Sequence, residues 1–164
     1  MMSNLPLPYR IAQQGITVIE ASAGTGKTHT LIRLITRHIL WYNKSIDQVL
    51  AVTFTKAATA ELRTRLRDCL HAVEIFFRNP YDDQDIEYLI SAAPAEITEA
   101  ELYMRLTAAI GNIDQASIFT IHGFCQRILN EQPLLTGQSI PGPTFLENQK
   151  ILIEQICFEF WRRI

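Results

Sequence analysis

The sequence predicts an α/β fold, a parallel sheet flanked by helices, on three observations. Short apolar runs rich in β-branched residues alternate with longer stretches whose apolar residues recur at helical spacing. One such run leads through a small-residue loop directly into a helix. The composition is that of a globular chain: 48% of the 164 residues are hydrophobic, 20% are charged, and 14 are Gly or Pro. That balance excludes disorder and collagen-like repeats.

Residues 16–20 (ITVIE) form the first expected strand, bounded by Gly15 and a small-residue loop. From Gly26 to about Trp41, Leu31, Leu34, Ile35 and Ile39 mark a helix that Asn43 ends. A second strand is expected at Val49 to Phe54, then a helix from Lys56 to Arg78 that Asn79 and Pro80 stop. A polar turn, Tyr81 to Gln84, leads to a short helix over Asp85 to Ala92, broken at Pro94. Thr98 and Glu101 have the spacing of a capping box and open a helix closing at Gly111 and Asn112. Ala116 to Ile121 is the third expected strand, followed by a short helix from Phe124 to about Asn130. Pro133, Gly137, Pro141, Gly142 and Pro143 mark a loop-rich boundary over 133–146. A last helix, from about Glu147, stays apolar at Ile156, Phe160, Trp161 and Ile164 and ends without a cap. Its wide apolar face and the small number of strands are those of a fragment, expected to self-associate through its open sheet edge.

Fifteen basic against seventeen acidic residues give a net charge of -2, so any nucleic-acid contact must use a local surface. Cys69, Cys125 and Cys157 are odd in number and lack metal-ligand spacing, which reads as buried reduced thiols. No apolar run approaches the ~18 to 20 residues of a membrane span, and the N-terminus has no signal-peptide layout. The expected location is the cytoplasm.

The chemistry concentrates in three places. In ASAGTGKT, Ala21, Ser22, Ala23, Gly24, Thr25, Gly26, Lys27 and Thr28 make a phosphate-binding loop between strand and helix. Backbone N–H groups from about Ala23 to Thr28 would meet phosphate oxygens at the positive helix end, Lys27 would hold the β- and γ-phosphates of ATP, and Thr28 would hold Mg²⁺. Ala21 stands where the general pattern has Gly. A match to [AG]-x4-G-K-[ST] arises by chance in a chain of this length on the order of 1% of the time.

In VTFTKAATAELRTRL, Thr53, Phe54 and Thr55 end a strand, and Lys56, Arg63 and Arg67 share one stripe of the following helix beside its apolar face of Leu62, Leu66, Cys69, Leu70 and Val73. The stripe reads as a solvated flank, or as part of a single-strand site in which Phe54 stacks on a base. In FTIHGFCQRIL, Thr120, His122 and Phe124 follow a strand expected to end on the same sheet edge.

These three motifs, in this order, resemble motifs I, Ia and the next DNA-contacting motif of UvrD-like superfamily 1 DNA helicases, and within them the exodeoxyribonuclease V beta-subunit family. FEFWRRI at the C-terminus extends the resemblance over nearly the whole chain. It implies a RecA-like P-loop NTPase motor domain over 1–132 with a helical insertion at about 80–112, a linker at 133–146, and the start of a helical subdomain at 147–164. It also implies ATP and Mg²⁺ as cofactors, 3′ to 5′ movement on single-stranded DNA, and a helicase-nuclease completed by gamma and delta subunits for double-strand break repair and recombination. Thr53, Phe54, Thr55, Lys56, Thr120 and His122 lie where the family contacts DNA. The FTKAAT wording departs from the Asn-Lys pair of the UvrD branch, and for an adenine-reading Gln only Gln13 or Gln14 is a candidate.

No apolar strand ending in Asp-Glu follows the second motif, and Asp82, Asp83 and Asp85 read as a solvated turn. Hydrolysis depends on positioning by the missing carboxylates and by an arginine from a second motor domain, so the chain alone is expected to bind nucleotide without useful turnover. Two alternatives stay open. One is a truncated nucleotide-binding module; the other is a small nucleotide kinase, for which an Arg-rich lid and an acceptor pocket are not apparent.

Overall fold

The computed structural model describes residues 6–20, 22, 24–132 and 150–163. They fall into two compact units, Met1–Ile121 and His122–Ile164. The expected 133–146 linker and the start of the last helix lie outside the described residues.

The first unit is built on helices. α1 (Leu7–Arg10) packs on α2 (Lys27–Tyr42), and α2 packs on α3 (Lys56–Arg78) and α5 (Glu99–Gly111), with α4 (Gln84–Ser91) between them in sequence. Periodic apolar faces close the core. Ile35, Ile39 and Leu40 of α2 meet Leu62, Leu66, Leu70 and Val73 of α3, with Ile86 and Leu89 of α4 and Leu102 and Leu106 of α5. Leu66 and Leu70 are almost wholly buried, a transfer worth roughly 1.5 to 3 kcal/mol for each side chain. The α3 face is as its periodicity predicts, with Cys69 half-buried at its margin. On α2 the face is rotated: Leu31 is exposed and Leu34 only half-buried, while Ile32 and Thr36 turn inward.

Local signals set most helix ends. Asn43, at φ 51°, closes α2 in the left-handed conformation that Asn tolerates at a C-cap. Thr55 caps α3 by accepting from the Ala58 N–H at 3.1 Å. Thr98 and Glu101 form the expected capping box, the Thr98 N–H donating to Glu101 at 2.8 Å and the Glu101 N–H to Thr98 at 3.3 Å. The Thr98 N–H, together with the Thr98 hydroxyl donating to the same carboxylate at 3.0 Å, holds the Glu101 carboxyl below its ordinary value.

The sheet is smaller than expected. β1 (Ala51–Thr53) and β2 (Ile118–Thr120) pair in parallel, Ala51 with Ile118, Val52 with Phe119 and Thr53 with Thr120. Among the described residues these two strands are the whole sheet. The strand expected over 16–20 is absent: the segment is irregular, with Ile16 97% exposed. A β-branched run has no ladder of its own. Without a neighbour for its backbone groups, its propensity does not produce a strand.

Two buried arginines complete the unit. Arg37 donates to the carbonyls of Pro8 at 2.5 Å and Ile11 at 2.6 Å and to the Tyr42 hydroxyl at 3.0 Å, strapping the N-terminal segment to α2. Its guanidinium also lies 5.2 Å from the centre of the Trp41 ring. Several acceptors offset the cost of burying this charge.

In the second unit, α6 (Ile121–Glu131) begins directly after β2, three residues earlier than the sequence predicts, and α7 covers Lys150–Arg163. Cys125 on α6 and Cys157 on α7 are exposed, against the expectation of burial. No residue of α6 is buried, and Ile156, Phe160 and Trp161 of α7 are also exposed, so neither thiol has an apolar shell.

Candidate functional site

The loop before α2 is shaped by two glycines and opens at the N-terminus of that helix. Gly24 and Gly26 have φ of 78° and 85°, a region other L residues enter only with strain. A Cβ at either position would meet nothing within 4 Å, so backbone conformation rather than crowding calls for glycine there. Gly26 is the N-cap of α2 and no side chain caps the helix, so its positive end opens at the loop. Thr25 folds the loop back, its hydroxyl donating to the Ser22 carbonyl at 2.7 Å. The Lys27 ammonium donates to the same carbonyl at 2.5 Å. Lys27 is exposed and Thr28 is half-buried in the first turn of α2. A cleft of about 530 Å³ adjoins the loop, lined by Leu7, Ile19, Glu20, Ser22, Thr25, Lys27 and Thr30. Ala21 and Ala23 lie outside the described residues. Gln13 and Gln14 are exposed in an irregular stretch.

The second candidate group sits at the C-terminal ends of the paired strands. Thr53 and Thr120 are register partners, so the two motifs share one sheet edge as their order in the sequence predicts. Phe54, the first residue after β1, is 83% exposed. The Thr53 hydroxyl lies 2.6 Å from that of Thr59 and donates to the Thr55 carbonyl at 3.1 Å, tying the strand end to the first turn of α3. Lys56, in that turn, is exposed. His122 is exposed in the first turn of α6, and Phe124 is half-buried.

The Arg63 and Arg67 stripe is not an open cationic face: both side chains are paired, and the Arg67 pair stays in solvent as a charged flank would. Arg63 donates to the carbonyls of Asp114, Ala116 and Ile118 at 3.2 to 3.3 Å. Arg67 pairs with the Asp114 carboxylate at 2.9 Å. These arginines hold α3 against the chain entering β2, and the Arg63 acceptors are main-chain groups that no residue type reveals.

The acidic turn is also corrected. Asp83 caps α4 by accepting from the Ile86 N–H at 3.1 Å. Asp85 lies inside α4, 3.1 Å from His29 and 3.9 Å from Arg33, both on α2. Only Asp82 stays an exposed turn residue without a role in the helix. The spacing of His29, Arg33 and Arg37, every four residues, puts them on one helix face but does not show that the face is buried.

A mostly helical unit around a two-strand parallel sheet, with a glycine loop opening a helix, is a helix-flanked protein of the α/β class. The chain belongs to the UvrD/REP helicase N-terminal domain family, whose sequence model matches residues 9–159. Its curated relatives include the RecBCD enzyme subunit RecB of Escherichia coli K12, 39% identical over 165 residues, covering 95% of this chain and 14% of that protein. The RecBCD enzyme subunit RecB of Haemophilus influenzae is 32% identical over 176 residues, covering 99% of this chain and 14% of the relative. That of Mycolicibacterium smegmatis is 36% identical over 159 residues, covering 95% and 14%. The chain therefore spans about 14% of the length of these relatives. No helix among the described residues is long and apolar enough to cross a membrane.

Proposed function

We propose that the chain is the ATP-binding part of a DNA helicase motor in a RecBCD-type helicase-nuclease, acting on DNA ends in double-strand break repair and recombination. The carrying observation is the pair of positive-φ glycines, Gly24 and Gly26, immediately before Lys27 opens α2. Ala21, Ser22, Ala23, Gly24, Thr25 and Gly26 would line the polyphosphate with main-chain N–H groups. Lys27 would exchange the Ser22 carbonyl for phosphate oxygens, and the Thr28 hydroxyl would hold Mg²⁺. The bound nucleotide supplies the phosphoryl-transfer energy on which such motors run.

The same reading assigns DNA contact to the sheet edge. Phe54 offers an open ring for stacking on a base, and Thr53, Thr55, Lys56, Thr120 and His122 would contact the strand beside it. As a subunit of an enzyme of the kind its relatives are named for, the chain would have gamma and delta subunits as partners and work in the cytoplasm. Residues 1–132 would form the first RecA-like motor portion, with 147–164 opening a helical subdomain. On this reading the chain alone would bind nucleotide, and useful turnover would need a carboxylate and an arginine supplied from the longer protein. A nucleotide-binding module without turnover is the alternative; comparing the ATPase activity of this chain with that of a product extended through the downstream coding sequence distinguishes the two, whereas single-stranded DNA affinity separates both from a small nucleotide kinase.

The test is titration of the chain with a fluorescent Mg²⁺-ATP analogue. Lys27→Ala should abolish binding while leaving the circular dichroism spectrum unchanged, because the exposed Lys27 side chain contributes little to the core. Undiminished affinity in Lys27→Ala refutes the loop assignment.

A further inference from the structure

Asp85 joins three segments of the first unit. Its Oδ2 lies 3.1 Å from His29 Nε2 and 3.9 Å from Arg33 Nη2, and its main-chain carbonyl accepts the Tyr9 hydroxyl at 2.7 Å. His29 follows Thr28 directly, and Arg33 lies one turn later on the same face of α2. The Arg33 side chain is only 9% exposed. Its Nη1 donates to Cys69 Sγ on α3 at 3.4 Å, and its Nε has no hydrogen-bond partner. Asp85 is therefore the carboxylate that answers a buried cation otherwise served by a weak sulfur acceptor. Tyr9 is buried on the other side of this residue and stacks on Trp41 at 5.9 Å. Burial above all holds its phenol far above the ordinary tyrosine range, which keeps it a donor to the Asp85 carbonyl.

These contacts act on the opening of α2. The helix starts at Lys27, so whatever fixes the rotation of His29 and Arg33 about the helix axis also fixes where the loop amides and Lys27 point. Asp85 sits in the first turn of α4, a position at which a carboxylate is already favoured by the helix dipole. It turns across to α2 nonetheless. We infer that Asp85 is a positioning residue for the phosphate loop, acting through His29 and Arg33 to aim the first turn of α2, and so links nucleotide affinity to the segment after α3. The inference rests on the nucleotide reading above.

The experiment compares Asp85→Asn, Asp85→Glu and His29→Ala with the unmodified chain, by titration with a fluorescent Mg²⁺-ATP analogue well below the melting temperature. Asp85→Asn should weaken binding roughly 2- to 30-fold, the range of couplings exerted by residues that touch no ligand. Asp85→Glu, which keeps the carboxylate, should recover most of the affinity. His29→Ala should weaken binding less, and added to Asp85→Asn it should cost nothing further, since both act through one contact. A purely structural role would lower the melting temperature without this pattern of affinities. Unchanged affinity in Asp85→Asn, or additive losses with His29→Ala, overturns the inference. If Asp85→Asn does not fold, unchanged affinity in His29→Ala overturns it. Lys27→Ala is run beside them. Loss of binding there with wild-type affinity in Asp85→Asn removes only the positioning role, whereas retained binding in Lys27→Ala, or none in the unmodified chain, removes the nucleotide reading and this inference together.

Discussion

Replacing Phe54 with Ala separates a binding role from a packing role, because the structure leaves this ring almost without protein neighbours. At 83% exposed it adds little to the core, so folding stability should change by less than about 0.5 kcal/mol, as for surface substitutions away from special features. If the ring stacks on a base, its loss should weaken single-strand binding by ~1 to 3 kcal/mol, roughly a 5- to 150-fold rise in Kd. Fluorescence anisotropy with a short labelled oligothymidylate at one fixed, low salt concentration measures the affinity, and thermal melting followed by circular dichroism measures stability. Salt must be held constant because phosphate contacts by Lys56 would respond to it strongly. Phe54→Trp should retain binding, since stacking needs a flat ring rather than a particular one. A drop of several degrees in melting temperature together with unchanged DNA affinity would refute the reasoning and return Phe54 to the apolar core.

Arg63→Ala should destabilise the chain by roughly 2 kcal/mol, because it removes a charged donor from three main-chain carbonyls at the entry to β2. Calorimetry should show a melting temperature lower by about 4 to 8 °C, and Arg63→Lys, which cannot span three acceptors, should recover little of it. His38 has its pKa held below the usual 6.5, first by burial and then by Arg37 and Lys44. The unfolded chain therefore binds the proton more readily, so this contribution is present above about pH 6.5 and is lost as the pH falls through the lowered folded value. Melting temperatures between pH 7.5 and 5 should fall less steeply in His38→Gln than in the unmodified chain.

What the sequence shows of this fold depends on whether a feature is decided locally. The ends of α3, the capping box at Thr98 and Glu101, and Asn43 closing α2 follow from residues within one turn of each other, and all are where the spacing puts them. The glycine loop belongs to the same class, since Gly24 and Gly26 carry their backbone requirement in their identity. The parallel pairing of the two strands was legible for a different reason: each strand ends in a Thr and runs straight into a helix, and such units align in one direction. Residues 16–20 failed as a strand because a ladder needs a neighbour that no local signal supplies. Cys125 and Cys157 were misread because burial is a property of the surroundings, not of the thiol.

The largest gap concerns polar residues. His29, Arg33 and Arg37 lie four apart on α2, and a polar stripe at that spacing reads as the solvent side of an amphipathic helix. Here both Arg33 and Arg37 are buried, Arg37 almost wholly, because α1 and α4 bring carbonyls and one carboxylate to them. Apolar packing alone leaves a helix some freedom to slide and rotate against its neighbours, whereas a buried guanidinium facing fixed acceptors does not. The helix that opens at the glycine loop is thus held in rotation by charge on one side and by Ile32, Ile35 and Ile39 on the other. The proposed polyphosphate site would depend on such control, since a small turn of α2 would move every N–H donor at once.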